Sequence, residues 1–344
     1  MKKIITAMFV AFFFIQLSAQ TTATDFKLLG DQAMEENNIN DAIAHYKKAA
    51  ELNPKYAEAF YLLGRALYFV NDNNGAIRAF DKAAKIDKKK GIIYYNRGNA
   101  YMSTGDANNA FKDFNKAVSL EPNSPSAWYY RGLAYFQTRE YDKAIYDFNR
   151  SIRLNPNYLY TYYYLGRCYV FNEQWEIAIN YFTKSLEIDP ENKDALGQRA
   201  DVYFWRTLEY EKALVDLHKI LEQDSTDYYA QNNIGFIYLE QEKFDEALVV
   251  FKRMIKNQPS ESSAHNNYGY ALFKSGKMDK AVREIQIAMK LDESNSYCHR
   301  NMALILIEQG KNDEACKEIE KAIEKGFAKK YGNEILDIKK ENCE

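Results

Sequence analysis

The chain has 344 residues, of which only 15 are Gly and 6 are Pro, so collagenous, linker-rich and mostly disordered architectures are excluded. Hydrophobic residues make up 47% and charged residues 27%, with 28 Tyr and 20 Phe, which is ample apolar area for a folded, mostly helical protein. The formal net charge of −2 leaves no basic stripe for a phosphate backbone and argues against nucleic acid as a partner.

The amino terminus reads Met1-Lys2-Lys3, then a run from Ile4 to Leu17 whose only polar members are Thr6 and Gln16, then Ser18-Ala19 before Gln20. This charged, apolar, small-residue order is that of a secretory signal. The run falls short of the roughly 20 residues a membrane-spanning helix needs, and no Cys follows it to carry a lipid. Residues 1–20 are expected to be a cleaved signal peptide, with the mature chain starting near Gln20 or Thr21. The protein is then exported, periplasmic or secreted, with no transmembrane segment in the mature chain.

From residue 23 onward one period organises the sequence. Gly30, Gly64, Gly98, Gly132 and Gly166 stand 34 residues apart; Ala200 then replaces Gly, one residue is inserted, and Gly235, Gly269 and Ala303 resume the step. A second series runs Ala42, Ala76, Ala110, Ala144, Ala178, Ala213, Ala247, Ala281, Ala315, and a third Tyr46, Phe80, Phe114, Phe148, Phe182, Leu217, Phe251, Ile285, Ile319. Nine units result: 23–56, 57–90, 91–124, 125–158, 159–192, 193–227, 228–261, 262–295 and 296–329.

In the unit 125–158, Trp128, Arg131, Gly132 and Tyr135 fall at i, i+3, i+4 and i+7, and Ala144, Phe148 and Ser151 repeat helical spacing further on. Thr138-Arg139-Glu140 separates the two stripes. Asn155-Pro156 ends the second, because Pro disfavours helix in the residue before it. Each unit is a helical hairpin too small to bury both faces alone, so units must stack. Gly inside a helix costs about 1 kcal/mol relative to Ala. Its recurrence at one phase is read as packing: facing the small Ala of the second helix, it lets two backbones approach.

These residues resemble the tetratricopeptide repeat: Trp128, Gly132, Tyr135, Ala144, Phe148 and Pro156 in one unit, and Tyr162, Leu165, Gly166, Tyr169, Ala178, Phe182 and Pro190 in the next. The resemblance covers nearly all of the mature chain. It implies an all-α, right-handed superhelical solenoid of about nine helical hairpins, closed by a C-terminal capping helix. For function it implies only a generic binding scaffold.

Departures from the pattern carry their own expectations. The unit 193–227 has Leu196 in the first aromatic slot, Ala200 for Gly, and an extra residue in the stretch Thr207-Leu208-Glu209-Tyr210, which predicts a local change in hairpin angle or superhelical rise. Residues 330–344, with Ile335, Leu336 and Ile338 among charges, predict the polar-faced capping helix that an open stack requires. Cys168, Cys298, Cys316 and Cys343 are too few for a disulfide scaffold and are read as small buried hydrophobes.

The resemblance places the first helix of each unit on the concave side, so the phase beside the core stripe is the candidate ligand surface. That stripe begins Tyr61, Tyr95, Tyr129, Tyr163; one turn on lie Arg65, Asn99, Leu133 and Arg167, then Tyr68, Met102 and Phe136. The intra-hairpin core is not expected to need these side chains. Tyr130, Tyr160, Tyr162 and Tyr164 add to the aromatic density. Asn96, Asn233, Asn267 and Asn301, with Gln198, occupy the next phase, where a column of amides can bond the main chain of an extended peptide. Two readings of the Tyr stripe stand side by side: contact with a peptide or sugar ring, and lateral packing between units. A chaperone-tail clamp of the kind some family members carry is rejected, because Asp31 and Glu58 surround Lys27 with the wrong residues.

Catalytic and metal chemistry find no footing. His45 and His218 lie on second helices without a nucleophile beside them, and His265 and His299 take the aromatic slot, where an imidazole commonly just packs. Cys298 points to a different face from His299, so no metal site forms. Glu35-Glu36 and Asp189 with Glu191 fall at helix ends and turns as solvated charge. No cofactor is expected. The expected function is a non-enzymatic adaptor that binds extended peptide or protein segments in its concave groove, in association with an envelope complex. The alternative is a binder of carbohydrate or cell-wall glycan through the Tyr stripe.

Overall fold

A computed structural model describes residues 22–343; the expected signal, residues 1–20, lies outside the described residues. Among them every regular element is a helix. The chain divides into two compact units, one ending at Gln174 and the other beginning at Trp175. Unit one holds α1 (Ala23–Glu35), α2 (Ile39–Leu52), α3 (Ala57–Phe69), α4 (Asn73–Ile86), α5 (Gly91–Ser103), α6 (Ala107–Leu120), α7 (Pro125–Gln137), α8 (Tyr141–Leu154) and α9 (Leu159–Phe171). Unit two holds α10 (Trp175–Ile188), α11 (Lys193–Trp205), α12 (Tyr210–Gln223), α13 (Tyr228–Glu240), α14 (Phe244–Asn257), α15 (Ser262–Lys274), α16 (Met278–Leu291), α17 (Ser296–Glu308), α18 (Asn312–Glu324), α19 (Phe327–Tyr331) and α20 (Glu334–Cys343). The all-α, repeated-hairpin architecture is the one the period demands.

Boundaries follow local chemistry. Second helices stop where the next residue is Pro: Asn53, Asn155 and Gln258 take non-helical caps with φ of −131°, −142° and −137°. Pro125 instead opens α7 behind the capping hydroxyl of Ser124. Between the helices of a hairpin one residue turns left-handed: Asn37, Asn71, Gly105, Arg139, Glu173, Leu208, Glu242, Gly276 and Gly310 form a series that repeats with the units. The residue inserted in 193–227 is absorbed in this turn, which runs from 206 to 209, and α11 and α12 keep the usual 13 and 14 residues.

The recurrent Gly corrects the expected packing. A Cβ added at Gly30, Gly64, Gly98, Gly132 or Gly235 would meet the ring of Tyr46, Phe80, Phe114, Phe148 or Phe251 at 2.4 to 2.8 Å. The space left by Gly is therefore filled by the aromatic ring of the third series, not by approach of the backbone to the Ala. Where that residue is aliphatic, as at Leu217 and Ile319, the first helix carries Ala200 or Ala303 instead, and both Ala are buried. Gly269 comes nearest to the expected arrangement, since an added Cβ would stand 3.3 Å from the Ala281 carbonyl as well as against Ile285.

Buried ion pairs tie successive hairpins. Arg131 grips Asp147 of its own hairpin through two bonds of 2.7 and 2.8 Å and extends Nη1 to Asn115 of the preceding one. Arg97 does the same with Asp113 and Asp81, and Arg199 with Asp216 and Thr183. Asp147 and Asp216 are each only 1% exposed, a burial tolerated because the planar guanidinium matches the carboxylate bidentately.

The first aromatic slot has its own rule. Tyr94, Trp128 and Gln231 each donate to the carbonyl six residues back, at 3.2, 2.8 and 2.7 Å, and His265 Nε2 contacts the Pro259 carbonyl at 3.1 Å. His265 and His299 were expected only to pack; each in fact faces a carboxylate of the second helix, Glu284 at 2.7 Å and Glu318 at 2.6 Å.

At the C-terminal end, α20 buries Ile335 against Ile319, Ala322 and Phe327. The reading of all four Cys as small hydrophobes fails for two of them: Cys316 and Cys343 form a disulfide that fastens α20 to α18. Their 27-residue separation concealed the pairing. Cys168 and Cys298 are buried thiols, and burial pushes them up to about 12 and about 11.

Candidate functional site

In unit one the candidate surface is made by α3, α5 and α7. Tyr61, Tyr95 and Tyr129 are under 10% exposed, contrary to the expectation that the core has no need of them. Tyr95 stacks on Tyr130 at 4.8 Å, Tyr61 lies against Phe80 at 6.1 Å, and Tyr129 meets Phe148 and Tyr158 at 5.9 and 5.0 Å. Burial raises the phenols of all three above their ordinary value. They lie beneath the surface, with their rings packed on neighbouring aromatic side chains.

What remains open is a cleft of about 670 Å³. It gathers Arg65 and Tyr68 from α3, Asn96, Asn99 and Met102 from α5, and Tyr130 and Leu133 from α7. Asn96 donates to the Ile92 carbonyl of its own helix at 2.8 Å. The cleft thus combines a cation, two amides, an aromatic face and aliphatic surface within reach of one ligand. Tyr163 and Arg167 stand outside it on α9, where the guanidinium of Arg167 lies over Phe136 and Tyr163 at 4.8 and 5.7 Å.

In unit two the amides do not form a column of open groups. Asn233 is buried. Asn267 donates to Asn232 at 2.7 Å and Asn301 to Asn266 at 2.9 Å, with Asn266 donating to Asn267 at 3.1 Å between them. Asn232, Asn266 and Arg300 were missed in the sequence, although they occupy the same phase as Tyr61, Tyr95 and Tyr129. The signal was present: that phase turns from aromatic to polar after Gly197.

The two residues beside Lys27 are ion-paired with it. Lys27 pairs with Asp31 at 2.7 Å and with Glu58 at 3.7 Å. Among the described residues, no group of three His, Cys, Asp or Glu stands together to hold a metal, and no helix is long and apolar enough to cross a membrane.

Comparison with known proteins agrees with this geometry. Tetratricopeptide repeat profiles match residues 57–90, 125–158 and 159–192, and a profile described as TPR repeat matches 30–69 and 98–139. A profile described as anaphase-promoting complex, cyclosome, subunit 3 matches 240–322. No curated protein matches the chain. Among solved structures, a tetratricopeptide repeat protein from Parabacteroides merdae is 18% identical with a TM-score of 0.59, covering 73% of this chain and 98% of its own. PilF of Pseudomonas aeruginosa is 16% identical with a TM-score of 0.53, covering 59% and 92%. YrrB, described as a TPR protein with an unusual peptide-binding site, is 25% identical with a TM-score of 0.43, covering 54% and 95%. The matched profiles show tetratricopeptide repeats between residues 30 and 192, and the same helical hairpins, with a ring seated on Gly30, Gly64, Gly98, Gly132 and Gly235, recur along the described chain.

Proposed function

We propose that the protein is a non-enzymatic scaffold of the cell envelope that holds extended protein segments against its first helices. The observation that carries this reading is the 670 Å³ cleft, where three successive first helices bring Arg65, Asn96, Asn99 and Tyr130 to one surface. An extended segment offers a main-chain donor and acceptor at every residue and side chains that alternate in direction; amides answer the first, and an aromatic face beside a cation answers the second. A sugar-binding platform would need open Tyr faces, whereas those of Tyr61, Tyr95 and Tyr129 are covered. Export is supported by the signal pattern of residues 1–20 and by the Cys316–Cys343 disulfide, since such bonds persist in oxidising compartments.

The test is affinity capture from an envelope extract of the native host with residues 21–344, beside the Arg65→Ala/Tyr130→Ala variant. Defined proteins should be retained, and the variant should lose them at least tenfold with helical content unchanged. Retention of polysaccharide instead, or undiminished capture by the variant, would refute the reading.

A further inference from the structure

The first-helix surface of unit two ends on a different chemistry. A cleft of about 690 Å³ there is lined by the amides described above and by Tyr270, Arg300 and Glu334. The hydrogen bonds run in one line, from Asn232 through Asn267 and Asn266 to Asn301, whose Oδ1 accepts from Arg300 Nη1 at 2.8 Å. The line therefore terminates on a guanidinium. Arg300 lies over the Tyr270 ring at 5.3 Å. Its Nη2 donates to one oxygen of Glu334, the first residue of α20, and its Nε is buried without a hydrogen-bond partner.

That pairing is incomplete by the standard of this same protein. Arg131 and Arg199 each engage a carboxylate through Nε and an Nη together, and their partners are 1% exposed. Arg300 offers the same two-donor edge but receives a single contact from a side chain that is 50% exposed. Glu334 is nonetheless held close, because Ile335 beside it is fully buried and Cys343 is bonded to Cys316. A group tethered in this way competes at an effective concentration on the order of mM, so it can mask a site without matching it fully.

We propose that Arg300 is a carboxylate-binding site at the end of the unit-two groove, and that Glu334 is the chain's own stand-in for the ligand. The ligand class is an extended peptide that presents a carboxylate to the Nε and Nη2 edge. The carboxylate comes either from a chain terminus or from an acidic side chain. This inference rests on the reading that first helices receive extended segments, yet it concerns residues that the capture experiment with Arg65 and Tyr130 does not touch.

Fluorescence anisotropy on residues 21–344 tests it with three fluorescein-labelled Gly-Ser-Ala peptides: one with a free C-terminal carboxylate, one amidated, and one amidated with a central Glu. Glu334→Gln should tighten binding of a carboxylate-bearing peptide at least tenfold over the unaltered protein and leave the neutral peptide unchanged. Whichever carboxylate peptide gains identifies the source. Adding Arg300→Lys, which keeps the charge but loses the planar fork, should cancel most of the gain, with circular dichroism verifying the fold of each variant. If Glu334→Gln tightens neither carboxylate peptide, or tightens all three alike, the proposal is overturned, whatever the capture experiment shows for unit one.

Discussion

In both units a residue of one first helix meets the residue 35 positions earlier, on the first helix before it, but the chemistry of the meeting differs. In unit one the pairs are Tyr130 on Tyr95 at 4.8 Å and Tyr164 on Tyr129 at 6.2 Å. In unit two they are Asn267 to Asn232 and Asn301 to Asn266, at 2.7 and 2.9 Å. Stacked rings need apolar area, and paired amides need matched donors and acceptors. The repeat thus decides which positions meet, and the two partners have changed character together.

The largest expected effect lies in unit one, where a charge is buried. Arg131→Ala leaves Asp147 without its partner and should cost about 3–5 kcal/mol in urea denaturation. Arg131→Met with Asp147→Leu should recover most of that loss. If the single variant costs under 1 kcal/mol, the ion pairs do not tie the hairpins as described. Unit two has a buried pair of the same kind in Arg199 and Asp216 and adds a covalent fastening. Cys316→Ser with Cys343→Ser should destabilise by about 2–4 kcal/mol, and amide hydrogen exchange should rise in 312–343 while 57–154 stay protected. A uniform rise across both units would remove the contrast.

The seat of the third series can be exchanged between the two styles. Gly132→Ala drives a methyl into the Phe148 ring and should cost about 1–3 kcal/mol. Combining it with Phe148→Leu imitates the Ala200 and Leu217 pair of unit two, and should be less harmful than the sum of the single changes. Full additivity would show that the ring and the Gly are not matched.

The smallest effect is electrostatic. The His299 hydrogen bond, with help from Lys321, holds the Glu318 carboxyl below its ordinary value of 4.5. A depressed carboxyl stabilises the fold above its unfolded value, and that contribution disappears as pH falls through the folded value. Glu318→Gln should therefore lower the melting temperature near pH 6 by a few degrees or less. The gap should close toward pH 3. A gap that widens on acidification would reverse the sign of the coupling.

Much of the fold was legible because it is written locally. Helix stripes at i, i+3, i+4 and i+7, polar breaks, and Pro after five of the second helices depend on residues within a turn or two of one another. The nine left-handed turn positions were equally readable in principle, since Gly105, Gly276 and Gly310 mark the phase, but Arg139 and Leu208 carry no such mark. The candidate groove was legible in part. Arg65, Asn96, Asn99 and Tyr130 do converge, whereas Tyr61, Tyr95 and Tyr129 are buried.

The period, the hairpins and most of the inward-facing stripe follow from local spacing, because spacing along one chain dictates which side chains share a helix face. Packing between hairpins settles that Phe148 rather than Ala144 fills the space over Gly132, that Tyr61, Tyr95 and Tyr129 are buried, that Cys316 and Cys343 join, and that Glu334 reaches Arg300. Those outcomes depend on how far one hairpin is displaced from the next and on where α20 turns back. The same one-dimensional repeat is compatible with many such distances, and the packing of ring, amide and guanidinium selects among them.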